Sequence, residues 1–142
     1  MFRLLVVDDD PYVLRAIAAV LTVYETRCFL SPRNALAAVA RGEHFDAAVL
    51  DYRMPELTGF ELQDAIAEVD PRLAERVVFA TGSPEVFRAA RKRGVPVAKP
   101  FSTQQLQTVL ASVLAAEDLS APDRGERESV EDPDTEPTWE SA

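Results

Sequence analysis

Cysteine, histidine and tryptophan occur once each, as Cys28, His44 and Trp139. A single thiol excludes a disulfide framework and the small stapled folds that depend on one. The lone imidazole falls in a loop-like stretch, where a histidine reads as a solvated side chain without a role. No apolar run approaches the roughly 20 residues of a membrane-spanning helix. No signal peptide precedes the apolar run at residues 4–7. These absences predict a cytoplasmic protein without a membrane partner. Lysine is also scarce, at 2 residues against 13 arginines. Residues 1–116 carry 14 acids and 13 basic residues, a net charge of −1, whereas residues 117–142 carry 10 acids and 2 arginines, a net of −8. The near-neutral front disfavours nucleic acid as a direct partner. Its small basic cluster, Arg91-Lys92-Arg93 before Gly94, reads as charge complementing a helix end, followed by a terminator. The last stretch is rich in Pro, Asp, Glu and Ser. Its composition predicts an acidic, disordered segment over 117–142 with Trp139 solvated, behind one domain over 1–116.

Within that domain, apolar runs end in charged groups. Ala47-Ala48-Val49-Leu50 stops at Asp51, and Leu4-Leu5-Val6-Val7 stops at Asp8-Asp9-Asp10. Val95-Pro96-Val97-Ala98 runs into Lys99-Pro100-Phe101. Short apolar runs without polar alternation read as buried strands of a parallel sheet, whose ligands lie beyond the strands' carboxyl ends. There Asp51 is a candidate nucleophile or metal ligand. The competing role, capping the next helix, belongs to Thr58 and Glu61, which fit a capping box. Asp10 ahead of Pro11 likewise reads as a helix cap, leaving Asp8 and Asp9 for the pocket. Acids gathered at one sheet edge repel one another. Lys99 supplies one counter-charge, compact where arginine is broad, and a divalent cation would supply the rest.

Helical spacing places core stripes at Leu14, Ile17, Ala18 and Leu21, at Leu62, Ala65, Ile66 and Val69, and at Leu106, Val109, Leu110, Val113 and Leu114. Ser31-Pro32 and Ser83-Pro84-Glu85 open two more helices, and Pro71 closes the third. Strands are predicted at 26–30 and 77–80 as well, the latter running into Thr81-Gly82. Five strands alternating with five helices give an α/β, doubly wound parallel sheet.

The chain resembles the receiver domain of bacterial two-component response regulators. The resemblance covers about residues 3–116. It rests on Asp8-Asp9, Asp51, Met54-Pro55 with Gly59, Thr81-Gly82 and Lys99-Pro100-Phe101, in that order and each after its strand. It implies a flavodoxin-like sheet of order 2-1-3-4-5, with strand 5 at an edge that tolerates Pro96. It further implies a phosphorylation-dependent switch in which Asp51 accepts a phosphoryl group from a histidine kinase or phosphotransfer protein. Mg²⁺ would be held by Asp9, Asp51 and the backbone carbonyl of Arg53, with Asp8 acting through a water. Lys99 would pair with Asp51 at rest and with a phosphoryl oxygen after transfer, and Thr81 would hydrogen-bond another. The product would act on an unknown downstream protein, or as a relay, and decay by its own hydrolysis. No output domain follows, so a stand-alone receiver is expected, with a piece of a hybrid kinase as the alternative organisation.

Two further readings compete. A phosphatase of the haloacid dehalogenase type also uses strand-end aspartates and a lysine. Its motif is Asp-x-Asp-x-Thr/Val after the first strand; here Asp8-x-Asp10 is followed by Pro11-Tyr12, which fits poorly, and there is no room for a cap domain. A degenerate receiver used only for docking would lack pocket residues that this chain retains. One departure from the family is plain. Receivers typically carry a Phe or Tyr three residues before the lysine, which swings inward as the Thr81-type hydroxyl moves; here that position is Pro96. The stretch from Thr81 to Lys99 is also short, which predicts a stubby fourth helix. Both point to an output concentrated in residues 82–86 and the pocket rim; a similar Pro appears in receivers attached to hybrid kinases, which implies phosphorelay or partner docking at the rim.

Overall fold

The computed structural model describes residues 1–115. The segment 117–142 and Trp139 lie outside the described residues. Five strands, β1 (Arg3–Val7), β2 (Glu25–Phe29), β3 (Ala47–Asp51), β4 (Val77–Thr81) and β5 (Val95–Ala98), form one sheet. Every pairing is parallel and the order is 2-1-3-4-5, as expected. The helices are α1 (Pro11–Val20), α2 (Pro32–Ala40), α3 (Gly59–Val69), α4 (Pro71–Ala74), α5 (Pro84–Ala90) and α6 (Thr103–Ala115).

Period-two alternation divides each central strand between two cores. Leu5, Val7, Ala48, Leu50, Val77 and Phe79 pack with α2, α3, α4 and α5. Leu4, Val6, Ala47, Val49, Val78 and Ala80 face the other way, against α1 and α6. The strands are therefore apolar on both faces, which is why they read as unbroken runs. The helix starts follow the cap residues closely. Asp10 accepts from the Tyr12 amide, Ser31 from Asn34 and Ser83 from Val86, and Thr58 with Glu61 forms a complete capping box. Gly42, at φ 97°, takes the left-handed turn after α2 that a side chain would resist.

Six helices form where five were expected. Asp70 both ends α3 and caps α4, its side chain accepting from the Leu73 amide, so Pro71 opens a turn of helix rather than closing one. Leu73 from that turn fills the core position. Val69, predicted to be buried, lies in the last turn of α3 and is 47% exposed. The buried α3 residue that spacing missed is Gln63. Its amide donates to the carbonyls of Ala74 (2.9 Å) and Arg93 (2.7 Å), and so ties α4 to the turn before β5. The second strand starts and ends one residue earlier than predicted, leaving Leu30 exposed. The α5 helix is short, at 7 residues, as expected.

The basic cluster does more than complement a helix end. Arg93 lies over the Phe60 ring at 4.7 Å and donates to Gln63 (3.0 Å) and Asp64 (3.1 Å). Gly94 is needed for a close approach, since a Cβ there would stand 2.4 Å from the Val77 carbonyl oxygen. His44 is exposed but not idle. Its Nε2 lies 3.2 Å from Asp46, and Arg72 lies 3.2 Å from its Nδ1.

At the amino ends of β1 and β2, Glu43 gathers Arg3, Arg27 and Arg41. The Arg27 hydrogen bonds, opposed by partial desolvation and joined by those from Arg41 and Arg3, hold its carboxyl down to about 2. A depressed folded-state value stabilises the fold above the ordinary glutamate range and loses that contribution as pH falls through the depressed value. Unfolding by urea between about pH 6 and pH 2 should therefore show a shallower acid-side loss of stability in Glu43→Gln than in the parent chain. Parallel acid limbs in the two proteins would contradict the arrangement.

Candidate functional site

Parallel strands bring every strand-end side chain to one edge, and three strands meet there with charge. Asp8 follows β1 directly. Its amide donates to the Phe29 carbonyl (3.1 Å), and its Oδ1 accepts from the Asp10 amide (2.9 Å). These bonds fix a carboxylate that is only 2% exposed. Asp51 ends β3 and is nearly buried too. Asp9 is exposed at the rim. Carboxylate oxygens of Asp8, Asp9 and Asp51 lie within 4.8 Å of one another. Lys99, just past β5, donates from Nζ to Asp8 Oδ2 (2.8 Å) and to Asp51 Oδ1 (2.9 Å). Thr81 ends β4, where its buried Oγ1 accepts from the Ser83 amide (3.0 Å). A cavity of about 430 Å³ opens over Asp9, Asp51, Arg53, Thr81 and Lys99.

The electrostatics follow from this crowding. Burial pushes the Asp51 carboxyl above the usual carboxylate range. The hydrogen bond and charge of Lys99 act against that, and Asp8 and Asp9 add to it. Burial opposes the charge on Lys99 as well, but the hydrogen bonds to Asp8 and Asp51 prevail and hold its ammonium above the usual value. Three carboxylates and one ammonium leave a net deficit of two positive charges. The donor set is oxygen only, part buried and part open to the cavity. Hard divalent cations of the magnesium type take such ligands while keeping several waters. The residues present thus fit the metal that the resemblance implies.

The residues named from sequence stand at this edge: the side chains of Asp8, Asp9, Asp51, Thr81 and Lys99, and Arg53, named for its backbone carbonyl. Two relations were not legible. Lys99 bridges Asp8 and Asp51 instead of pairing with Asp51 alone, because the Asp8 carboxylate is turned inward by its bond from Asp10. Gly59 positions α3 beneath Asp51: its amide donates to the Tyr52 carbonyl (2.8 Å), and a Cβ on it would meet the Asp51 carbonyl oxygen at 2.7 Å. A glycine four residues after a proline was the signal, but spacing alone could not say which backbone it approaches.

The sequence profile of the response regulator receiver domain matches residues 4–111. The chain belongs to the response regulator receiver family. A response regulator receiver protein of Anaeromyxobacter sp. (strain Fw109-5) is 33% identical over 107 residues, 70% of this chain and 45% of that protein. A probable histidine kinase 3 of Oryza sativa subsp. japonica is 32% identical over 93 residues, 64% of this chain and 9% of the kinase. The chain thus spans less than half of either relative. Among solved structures, the Vibrio cholerae chemotaxis protein CheY4 is similar at a TM-score of 0.70 with 29% identity, covering 80% of this chain and 99% of that one. A CheY-like receiver of Methanospirillum hungatei shares the fold at a TM-score of 0.74 with 23% identity, covering 85% and 99%. The receiver fold and its place in two-component signalling are therefore established for this chain, and among the described residues no helix is long and apolar enough to cross a membrane.

The charge deficit makes a direct prediction. Mg²⁺ at ten times its dissociation constant should raise stability by about 1.4 kcal/mol through mass action. In thermal melts Asp9→Ala should lose most of that gain. A wild-type Tm that ignores millimolar Mg²⁺ would exclude a metal site here.

Proposed function

We propose that this receiver accepts a phosphoryl group on Asp51 from the phosphohistidine of a histidine kinase or phosphotransfer protein. The observation that carries the reading is the Lys99 ammonium held between Asp8 and Asp51, with Asp9 within 4.8 Å. Lys99 engages Oδ1 of Asp51, which leaves Oδ2 as the nucleophile. In-line attack by that oxygen forms the P–O bond of an acyl phosphate as the P–N bond breaks; the electron pair stays on the departing imidazole nitrogen, which takes its proton from solvent. Such transfer asks the protein for positioning and charge neutralisation and little else. Lys99 then exchanges Asp51 Oδ1 for a phosphoryl oxygen while keeping Asp8. The Thr81 oxygen already accepts from Ser83, so its own O–H is directed to donate to a second phosphoryl oxygen. Asp9, Asp51 and the Arg53 carbonyl would hold Mg²⁺, with Asp8 holding a metal-bound water. The ion supplies the positive charge that lets a phosphoryl group approach three carboxylates.

Output is the second part of the reading. Pro96 is buried within the edge strand β5, opposite Phe79, and has neither an aromatic ring to swing inward nor a backbone N–H. The segment 82–86, a turn and the first residues of α5, starts from the Thr81–Ser83 hydrogen bond and is what phosphorylation would disturb first. The pocket rim is then the docking surface, for relay or for a protein partner.

Acetyl phosphate with Mg²⁺ should add one phosphoryl group that hydroxylamine removes, and Asp51→Asn should abolish it. Amide shift changes with beryllofluoride should concentrate at residues 81–87. Labelling that persists unchanged in Asp51→Asn would overturn the assignment. Large shifts across 95–97 and the exposed face of α6 would overturn the output route.

A further inference from the structure

Charge is divided unequally between the two faces of the sheet. On one face, α3 and α5 carry Glu61, Asp64, Glu68, Glu85 and Arg88. On the other lie α6 and α1 with the turn that follows it. Residues 11–24 and 103–115 make up 27 positions with one charged side chain, Arg15, where the 27% charge content of the chain would give about seven. That one guanidinium lies over the Tyr12 ring at 5.8 Å. The two helices are neighbours. Leu14, Ile17 and Leu21 share a core with Leu106, Leu110 and Val113, and Gln107 donates to the Val20 carbonyl at 3.4 Å. Outside that core, Tyr12, Ala16 and Ala19 on α1 and Gln107, Ala111 and Ala115 on α6 are exposed at helical spacing. A helix face that meets only water ordinarily carries charge, and this pair carries almost none.

The two ends of the face differ in shape. Both helices run from the carboxyl edge of the sheet to its amino edge. At the carboxyl edge Tyr12 projects, 75% exposed. At the amino edge a shallow pocket of about 240 Å³ opens between Phe2, Tyr24, Ala111, Leu114 and Ala115. A twofold axis lying across the helices reverses their direction. It sets the Tyr12 ring of each copy beside the aromatic-walled pocket of the other, the mutual arrangement that an isologous contact requires. It also sends the two chain exits beyond Ala115 to opposite ends of the pair. For a 13-residue helix these stand about 20 Å apart, beyond the roughly 8 Å screening length of physiological salt. The net charge of −8 on 117–142 therefore does not oppose the contact strongly.

We propose that two copies of this chain pair through α1 and α6, antiparallel, with Tyr12 of each copy in the pocket of the other. Any occupant of this face must leave its own charges out of the contact, because an unpaired buried charge is costly. Among the described residues, the surface that meets that condition is this face itself. Two helices up to about 20 Å long with axes about 9 Å apart present less than the roughly 800 Å² per partner of a standard interface, so the pairing is weak and reversible. It lies along the helices and not over the strand ends that carry Asp51.

The test is sedimentation equilibrium of the full chain from about 10 μM to about 1 mM, the range of a weak complex, with amide shifts followed on dilution. The mean mass should rise from 15.6 kDa toward twice that value, and the moving amides should lie at residues 12–24 and 104–115. Tyr12→Ala and Ala111→Glu each alter an exposed side chain. Each should weaken pairing by about tenfold or more, while labelling of Asp51 by acetyl phosphate stays at the parent level. Raising the salt to about 0.5 M should preserve or strengthen pairing, since there is no ion pair to screen and a net charge of −9 repels less. Three results would overturn the proposal: a parent chain that stays monomeric throughout, which would leave the face to the uncharged helices of another protein; pairing of undiminished strength in both variants; or pairing that salt dissolves, which would mark an ionic contact elsewhere.

Discussion

One ammonium between two carboxylates holds this structure's chemistry together. Lys99 Nζ stands 2.8 Å from Asp8 and 2.9 Å from Asp51, and the three residues come from positions far apart in the chain. Without it, two nearly buried carboxylates would face each other across a site that burial already makes hostile to charge. With it, the site is tolerable and still short of positive charge. That shortfall is what makes the pocket a receptor for a divalent cation and suits it to a phosphoryl group once the cation is present. A lysine serves because a point charge reaches two oxygens at once, where a planar fork would demand a bidentate geometry.

The rest of the fold exists to hold that edge in register. Four parallel pairings set Asp51 against Ala80 and Thr81 against Ala98, so the strand ends that carry the chemistry coincide. Gly59 lets α3 start directly under Asp51, and Gly94 lets β5 enter against Val77. A methyl group at either position would drive backbone from backbone, at the order of 1–3 kcal/mol typical of overpacking. Gln63 and Arg93 then lock α3, α4 and the turn before β5 into one unit. That lock sits at the start of β4 and β5, whereas Thr81 and the turn into α5 stand at the other end, beside Asp51.

Much of this was legible in the amino-acid order because the central strands are apolar on both faces. Each run therefore ends visibly where its charge begins, as at Asp8, Asp51 and Lys99. Caps were legible for a similar reason, since Asp10, Ser31, Thr58 and Ser83 act on amides two or three residues away. What escaped was long-range. The bond from Lys99 to Asp8 spans 91 residues and depends on how Asp8 is turned. Gln63 was not among the core positions read from spacing, because its amide bonds the Ala74 and Arg93 carbonyls, backbone groups that no pattern announces. Val69 misled because helical spacing does not say where a helix ends, and α4 took its place in the core with Leu73.

If charge balance governs the pocket, Lys99 and the cation must share the same carboxylates. Calorimetric titration of Mg²⁺ into the unphosphorylated Lys99→Ala variant tests this most directly. Removing the ammonium that bridges Asp8 and Asp51 should tighten Mg²⁺ binding by about tenfold or more, as expected for the loss of a like charge a few ångströms from the ion. Binding that is unchanged or weaker in a variant that still folds would contradict the account.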